Sequence, residues 1–261
     1  MKLMIAHDAR PQVRTLLIAA ALTVALWFIP FAEILTYPFR IFVTFIHEGG
    51  HALAAFVTGN EVHSLNVSMD GSGEVYSTRG GLISSLFVSS AGYLGAMAYG
   101  ALLLTLIRRS FAARMVLVAS AALVLTLTVV YGFFSPLSNG ALPGMFTLFA
   151  GGTLFVGLVA ASRFMSARAA SFLVSFLAVQ CILNALFDLK TVLFLSTPFA
   201  GGAQTDAANM AAATGIPAFF WALAWIGVAF LILSVALRAY AANSNAPTQP
   251  DLPFEDSPLE V

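Results

Sequence analysis

The sequence predicts an all-α polytopic membrane protein of about six to seven transmembrane helices, with a small β-hairpin as its one sizeable polar insert. Three observations carry this. Of the 261 residues, 59% are apolar and only 9% are charged, a balance outside the range of soluble globular domains. Several uncharged runs reach the roughly 18 residues that a bilayer-crossing helix needs. Only residues 59–81 break the apolar pattern at length before the carboxy-terminal tail.

The elements follow in order. The first apolar segment, about 15–35, comes after Lys2, Arg10 and Arg14, a basic start like that of a signal peptide. Its uncharged run from Thr15 to Ala32 lacks a small-residue cleavage site, so a retained anchor is expected. Pro30 and Pro38 bracket the first turn, and Glu33 reads as an interfacial residue. The other apolar segments are about 38–58, 82–107, 115–134, 143–162, 169–196 and 216–240. Each should be helical, because lipid offers backbone groups no partner. Pro136 with Ser138, Asn139 and Gly140 marks one turn, and Gly201, Gly202 and Pro217 mark another. Within 59–81, "VHSLNVS" and "EVYST" have strand-like composition around the turn residues "MDGSG", which predicts a hairpin over 62–78. Residues 1–242 are therefore read as one membrane domain. In the tail, 243–261, prolines alternate with acidic residues, and disorder is expected.

Charge and cysteine usage remove some functions. Twelve Lys+Arg balance twelve Asp+Glu, and no basic patch of the size that binds nucleic acid is visible. The single cysteine, Cys181, lies in an apolar run and has no intrachain disulfide partner.

The chemistry is concentrated in "FIHEGGHALAAFVT". His47 and His51 are four positions apart and share one helix face. Two imidazoles so placed can bind one tetrahedral zinc, with Glu48 as general base on a water that the metal acidifies. Ionisable groups inside a span cost roughly 2.5–3.5 kcal/mol each and usually mark function. A hydrolytic zinc needs a third protein ligand and one open position. Asp188, in "CILNALFDLKTVLF", is the first candidate, because an acid embedded in a span needs a compensating partner. Asn184, four residues earlier on the same face, could orient a ligand or a substrate backbone. Asp206, in "TDAANMAAAT", is the second candidate; it also suits a helix N-terminus capped by Thr205. His63 reads as a surface histidine of the hairpin. Gly92, Ala96 and Gly100, at four-residue intervals, form a small-residue stripe that suits close helix packing, pressing the third span towards the motif helix.

Together, "FIHEGGHALAAFVTG", "SSAGYLGA", "NALFDLK" and "TDAANMAAATGIPA" resemble the M50B-like branch of the site-2 protease family of intramembrane zinc metallopeptidases, over about residues 38–240. The resemblance implies zinc held by His47, His51 and Asp188, with Glu48 as catalytic base. It implies cleavage of membrane protein or peptide substrates in or near the lipid bilayer, often as regulated intramembrane proteolysis. A hairpin after the HExxH helix is frequent in that family, and an extended substrate could pair with its edge. The alternative reading is a non-catalytic zinc-binding membrane protein that binds clients without cleaving them. Length and the lack of a transit-peptide composition fit a bacterial plasma membrane.

Overall fold

A computed structural model describes residues 10–26, 28–108, 112–133, 141–197 and 204–241. Helices α1 (Arg10–Leu26) and α2 (Ala32–Val57) lead into strands β1 (Val62–Val67) and β2 (Gly73–Ser77). Then come α3 (Leu82–Arg108), α4 (Ala113–Leu127), α5 (Ala141–Phe164), α6 (Ala167–Leu195), the short α7 (Asp206–Thr214) and α8 (Ala218–Ala241). The end of α4 winds on as a π-helical turn, Thr128–Gly132.

The stretches Leu82–Ile107, Ala113–Gly132, Gly144–Phe164, Ala167–Leu195 and Ala218–Ala241 are long and apolar enough to cross a membrane. The chain is a multi-pass membrane protein. The two amino-terminal helices differ from the expected spans. The apolar part of α1, Gln12–Leu26, is short. Helix α2 has 26 residues but carries the HEGGH motif in its second half.

The first break also falls elsewhere than expected. Helix α1 ends at Leu26, and Phe31 adopts a left-handed φ of 64° just before α2 begins. Glu33 therefore sits in the first turn of α2 and not at the end of a first span. Its carboxylate there complements the positive end of the helix dipole. Pro38 lies inside α2, where it leaves the Ile34 carbonyl without its usual donor. The other proposed turns, at 136–140 and 201–202, and the tail from 243 lie outside the described residues.

The hairpin forms where its composition placed it, antiparallel, with a register shift between Val62 and Ser64. Its setting is less expected for a polar insert. Ser64, Leu65, Asn66 and Val67 are all buried, because β1 packs against α2, α5 and the π-helical end of α4. The Val67 N–H donates to Thr147 Oγ1 (2.9 Å), and Thr147 Oγ1 donates to Asn66 Oδ1 (2.9 Å). The turn folds back along α2. Tyr37 OH donates to the Met69 carbonyl (2.6 Å), Thr44 Oγ1 to the Gly71 carbonyl (2.7 Å), and Arg40 to the Asp70 carbonyl. Within the turn the Ser72 hydroxyl (2.6 Å) and N–H (2.9 Å) both donate to Asp70 Oδ1, which holds that carboxyl below its ordinary range.

Helices α3 and α6 form the centre, with α2 and α8 packed on α3 and with α1, α4 and α8 packed on α6. Small residues set these distances. A Cβ on Gly50 would overlap the Ala91 carbonyl oxygen of α3, and one on Gly95 would meet Gly50 Cα at 3.5 Å. A Cβ on Gly100 would press on Ile182 (2.8 Å) and the Ala178 carbonyl (2.9 Å) of α6. By contrast, a Cβ on Gly227 of α8 would meet nothing within 4 Å. Gly50→Ala is therefore expected to lower stability by about 1–3 kcal/mol. Gly227→Ala should be neutral or stabilising by up to about 1 kcal/mol. Thermal midpoints of both variants in one detergent check this, and a Gly50→Ala midpoint equal to wild type would contradict the packing described.

Candidate metal centre

Helical spacing brings His47 and His51 onto one face of α2, and the structure turns their rings towards one another. Their Nε2 atoms are 3.1 Å apart. Asp206, the first residue of α7, reaches the same point from another part of the chain. Its Oδ2 lies 3.4 Å from His51 Nε2 and 3.9 Å from His47 Nε2. Thr205 caps α7, its hydroxyl accepting from the Ala208 N–H (3.2 Å). The capping expected at this position and the approach of Asp206 to the histidines thus occur together. Buried Ala207 and Met210 anchor the helix that carries the carboxylate.

These three residues are the group of potential metal ligands found among the described residues. Two tests bear on whether they suit zinc. The first is spacing: bonds of about 2.0–2.2 Å in a tetrahedron put ligand atoms about 3.3–3.6 Å apart, and the observed separations of 3.1, 3.4 and 3.9 Å bracket that range. The second is the tautomer of His51. Its Nδ1 lies 2.7 Å from the Val88 carbonyl, a bond only an Nδ1–H can donate, which leaves the Nε2 lone pair for a metal. Gly92 of α3 backs this corner, and a Cβ there would overlap Nε2 of both histidines. The donor set fits zinc.

A cavity of about 1000 Å³ opens beside the group. Its walls include Glu48 and His51 of α2, the strand β2, Tyr93 of α3 and Asp188 of α6. Glu48 is buried and lies against β2; a Cβ on Gly73 would come 2.6 Å from its Oε1. The carboxylate next to the histidines thus faces a strand backbone across the site.

Most of the sequence-derived candidates meet here, with one exchange. His47, Glu48 and His51 line one cavity. Asp206 joins the two histidines, whereas Asp188 lines the same cavity outside their group. Asn184 also lines the cavity, and its amide nitrogen bonds to the carbonyl (2.8 Å) and side chain (3.2 Å) of Gln180. His63 is exposed on β1, apart from the site. Two contributors were not singled out for the site in the sequence. Gly92 belongs to a stripe read there as packing, and Tyr93, beside it, sets its ring edge against His47 at 4.7 Å between centroids. The signal for both was the same short stretch, "SSAGYLGA", whose two glycines face the motif helix.

A family model described as Peptidase M50B-like matches residues 16–236 of the chain. No curated protein and no solved structure matches. The geometry around Gly92 makes one expectation definite. Gly92→Ala should separate the two imidazoles and cut metal retention to well below the ~1 ion per chain that a single site would hold, measured by metal analysis of purified protein. Full metal content in that variant would rule out the arrangement drawn here.

Proposed function

The chain belongs to the Peptidase M50B-like family, and on that footing we propose that it is an intramembrane zinc metalloendopeptidase. The observation that carries this reading is the meeting of His47, His51 and Asp206 on the wall of a cavity that also holds Glu48. We infer that Asp206, and not Asp188, is the third zinc ligand, because it is the carboxylate within 4 Å of both imidazoles. When bound, zinc would supply Lewis-acid polarisation of a carbonyl oxygen and lower the pKa of a water towards neutrality.

The chain's own residues divide the remaining work. His51 is held as the Nδ1–H tautomer by Val88, so its Nε2 stays available. Glu48 accepts a proton from the attacking water and passes it to the leaving amine, so one carboxylate serves as base and then as acid. Strand β2 borders the cavity through Gly73, Glu74, Val75, Tyr76 and Ser77, while β1 is covered by helices. An extended substrate segment can add to β2 by backbone hydrogen bonds, which brings a peptide carbonyl past Glu48. A transmembrane substrate would first have to unwind, because a helix keeps its carbonyls in its own hydrogen bonds. Asn184 offers such a segment its side-chain oxygen. Substrates are accordingly proposed to be membrane proteins or peptides, in a bacterial plasma membrane.

The test compares zinc content and cleavage in purified full-length protein. Wild type should hold about one zinc per chain. His47→Ala and Asp206→Ala should lose it, and Asp188→Ala should keep it. Glu48→Gln should keep zinc and lose peptide hydrolysis by about 10²–10⁴-fold. Zinc lost in Asp188→Ala but kept in Asp206→Ala would reverse the ligand assignment. Cleavage intact in Glu48→Gln would remove the general-base mechanism.

A further inference from the structure

The two ends of the helix bundle carry different charges, and the metal centre does not account for that sorting. A second cavity, of about 420 Å³, brings together Gln12 and Thr15 of α1, Ile107 of α3, Ala113 of α4, Ser171 of α6 and Tyr240 of α8. The starts of α1, α4 and α6 and the ends of α3 and α8 therefore share one end of the bundle. The end of α5 joins them, because Met165 and Ser166 alone separate it from α6, and Arg114 donates to the Met165 carbonyl there at 2.9 Å. The metal centre stands at the opposite end. Its cavity is lined by the hairpin, by Ser84 and Ser85 at the start of α3, and by Thr191 and Leu195 at the end of α6.

Arg10, Arg14, Arg114, Arg163, Arg168 and Arg238 lie on the helix ends around the second cavity, and all six are exposed. Among the described residues those helix ends carry no Asp or Glu. The described acids are instead on α2, on and beside the hairpin, on the second half of α6 and on α7. The remaining described cations, Arg40, Arg79 and Lys190, belong to the same stretches as these acids. If every apolar segment were a full span, the start of α1 and the arginines of α4 to α6 would fall on opposite faces of the membrane. The structure places α1 so that it starts beside them, and the basic signals agree. Lys and Arg that flank spans are retained in the cytoplasm, whose membrane leaflet is anionic. We propose that the arginine end faces the cytoplasm, so that the hairpin, the cavity and the metal centre open on the extracytoplasmic side. This rests on the reading of the chain as a protease of a bacterial plasma membrane, and it names the side from which that site is supplied. Peptide segments that reach Glu48 come from the outer face of the membrane and not from cytoplasmic tails, and the metal is taken up from the same side.

Sidedness can be read directly in bacterial cells that carry the full-length chain. Cys181, buried in α6, is first replaced (Cys181→Ala), so that one introduced thiol reports. Gly81→Cys places it between β2 and α3, at an exposed position where a Cβ meets nothing within 4 Å. Ala167→Cys places it at the exposed start of α6. A membrane-impermeant maleimide applied to intact cells should label Gly81→Cys as fully as after lysis, and Ala167→Cys only after lysis. Met69→Cys, exposed in the hairpin turn, gives the same reading should Gly81→Cys fail to accumulate. A fluorescent protein that matures only in the cytoplasm, fused after Val261, should fluoresce, because the tail beyond α8 has no apolar run long enough to cross back. The reverse labelling pattern would overturn the proposal. So would intact cells that label both positions or neither. A chain without zinc can still show this sidedness, and a chain inserted the other way can still cleave, so the protease reading stands or falls by its own test.

Discussion

The close approach of α2 to α3 is the constraint on which the rest of the site depends. Side chains would keep two helices about 8–10 Å apart, and at Gly50, Gly92 and Gly95 there are none. A Cβ at Gly50 would strike the Ala91 carbonyl, and one at Gly92 would take the space of both histidine Nε2 atoms. The same approach delivers the Val88 carbonyl to His51 Nδ1. Packing and chemistry are therefore set by the same glycines. The cost of Gly49 and Gly50 inside a helix, about 1 kcal/mol each relative to alanine, is offset by contacts that no larger residue permits. Gly49 makes its own, against Leu127 of α4.

A second constraint concerns backbone that is not helical. Strand edges with free N–H and C=O groups are not tolerated against lipid, only against protein or a water-filled cavity. The hairpin obeys this on both sides. Strand β1 is packed by α2, α5 and the end of α4, with Thr147 serving Val67 and Asn66. Strand β2 borders the cavity. Tyr37, Arg40 and Thr44, one face of α2, hold the carbonyls of residues 69–71, and Glu48 continues that face one turn on. The helix that bears the motif thus also fixes the strand opposite it. On the proposed function, β2 and the polar cavity are where an extended substrate segment and water would meet.

What the sequence made legible was local. The HEGGH spacing places His47 and His51 on one helix face whatever the tertiary fold, and the hairpin follows from turn residues between two strand-like runs. Seven apolar segments could be read from length and apolarity, and five of them correspond to helices long and apolar enough to cross a membrane. What it hid was set by contacts between distant parts of the chain. Asp188 stands out because its neighbours are apolar, whereas Asp206 follows a capping threonine and looks like an ordinary helix start. The arrangement reverses their prominence, since α7 is carried to the histidine pair by Ala207 and Met210 packing into the core. The start of α2 was hidden for a similar reason. Pro30 and Pro38 look alike as punctuation, yet only the first falls in the break, and a proline inside a helix announces itself in no local pattern.

The small-residue stripe of α3 shows why one motif can admit two readings and need both. Gly92, Ala96 and Gly100 recur every four residues and so lie along one side of the helix. At Gly100 the neighbours are Ile182, Ala178 and Cys181 of α6, apolar or backbone atoms with no part in the cavity, and Ala96 is buried in the core. At Gly92, two turns earlier, the neighbours are imidazole nitrogens. Packing alone therefore explains the far end of the stripe and fails at its near end. Added volume at Gly100 would be resisted by α6 and felt as lost stability. The same volume at Gly92 would fall on the two nitrogens themselves, where the first loss would be the geometry of the site.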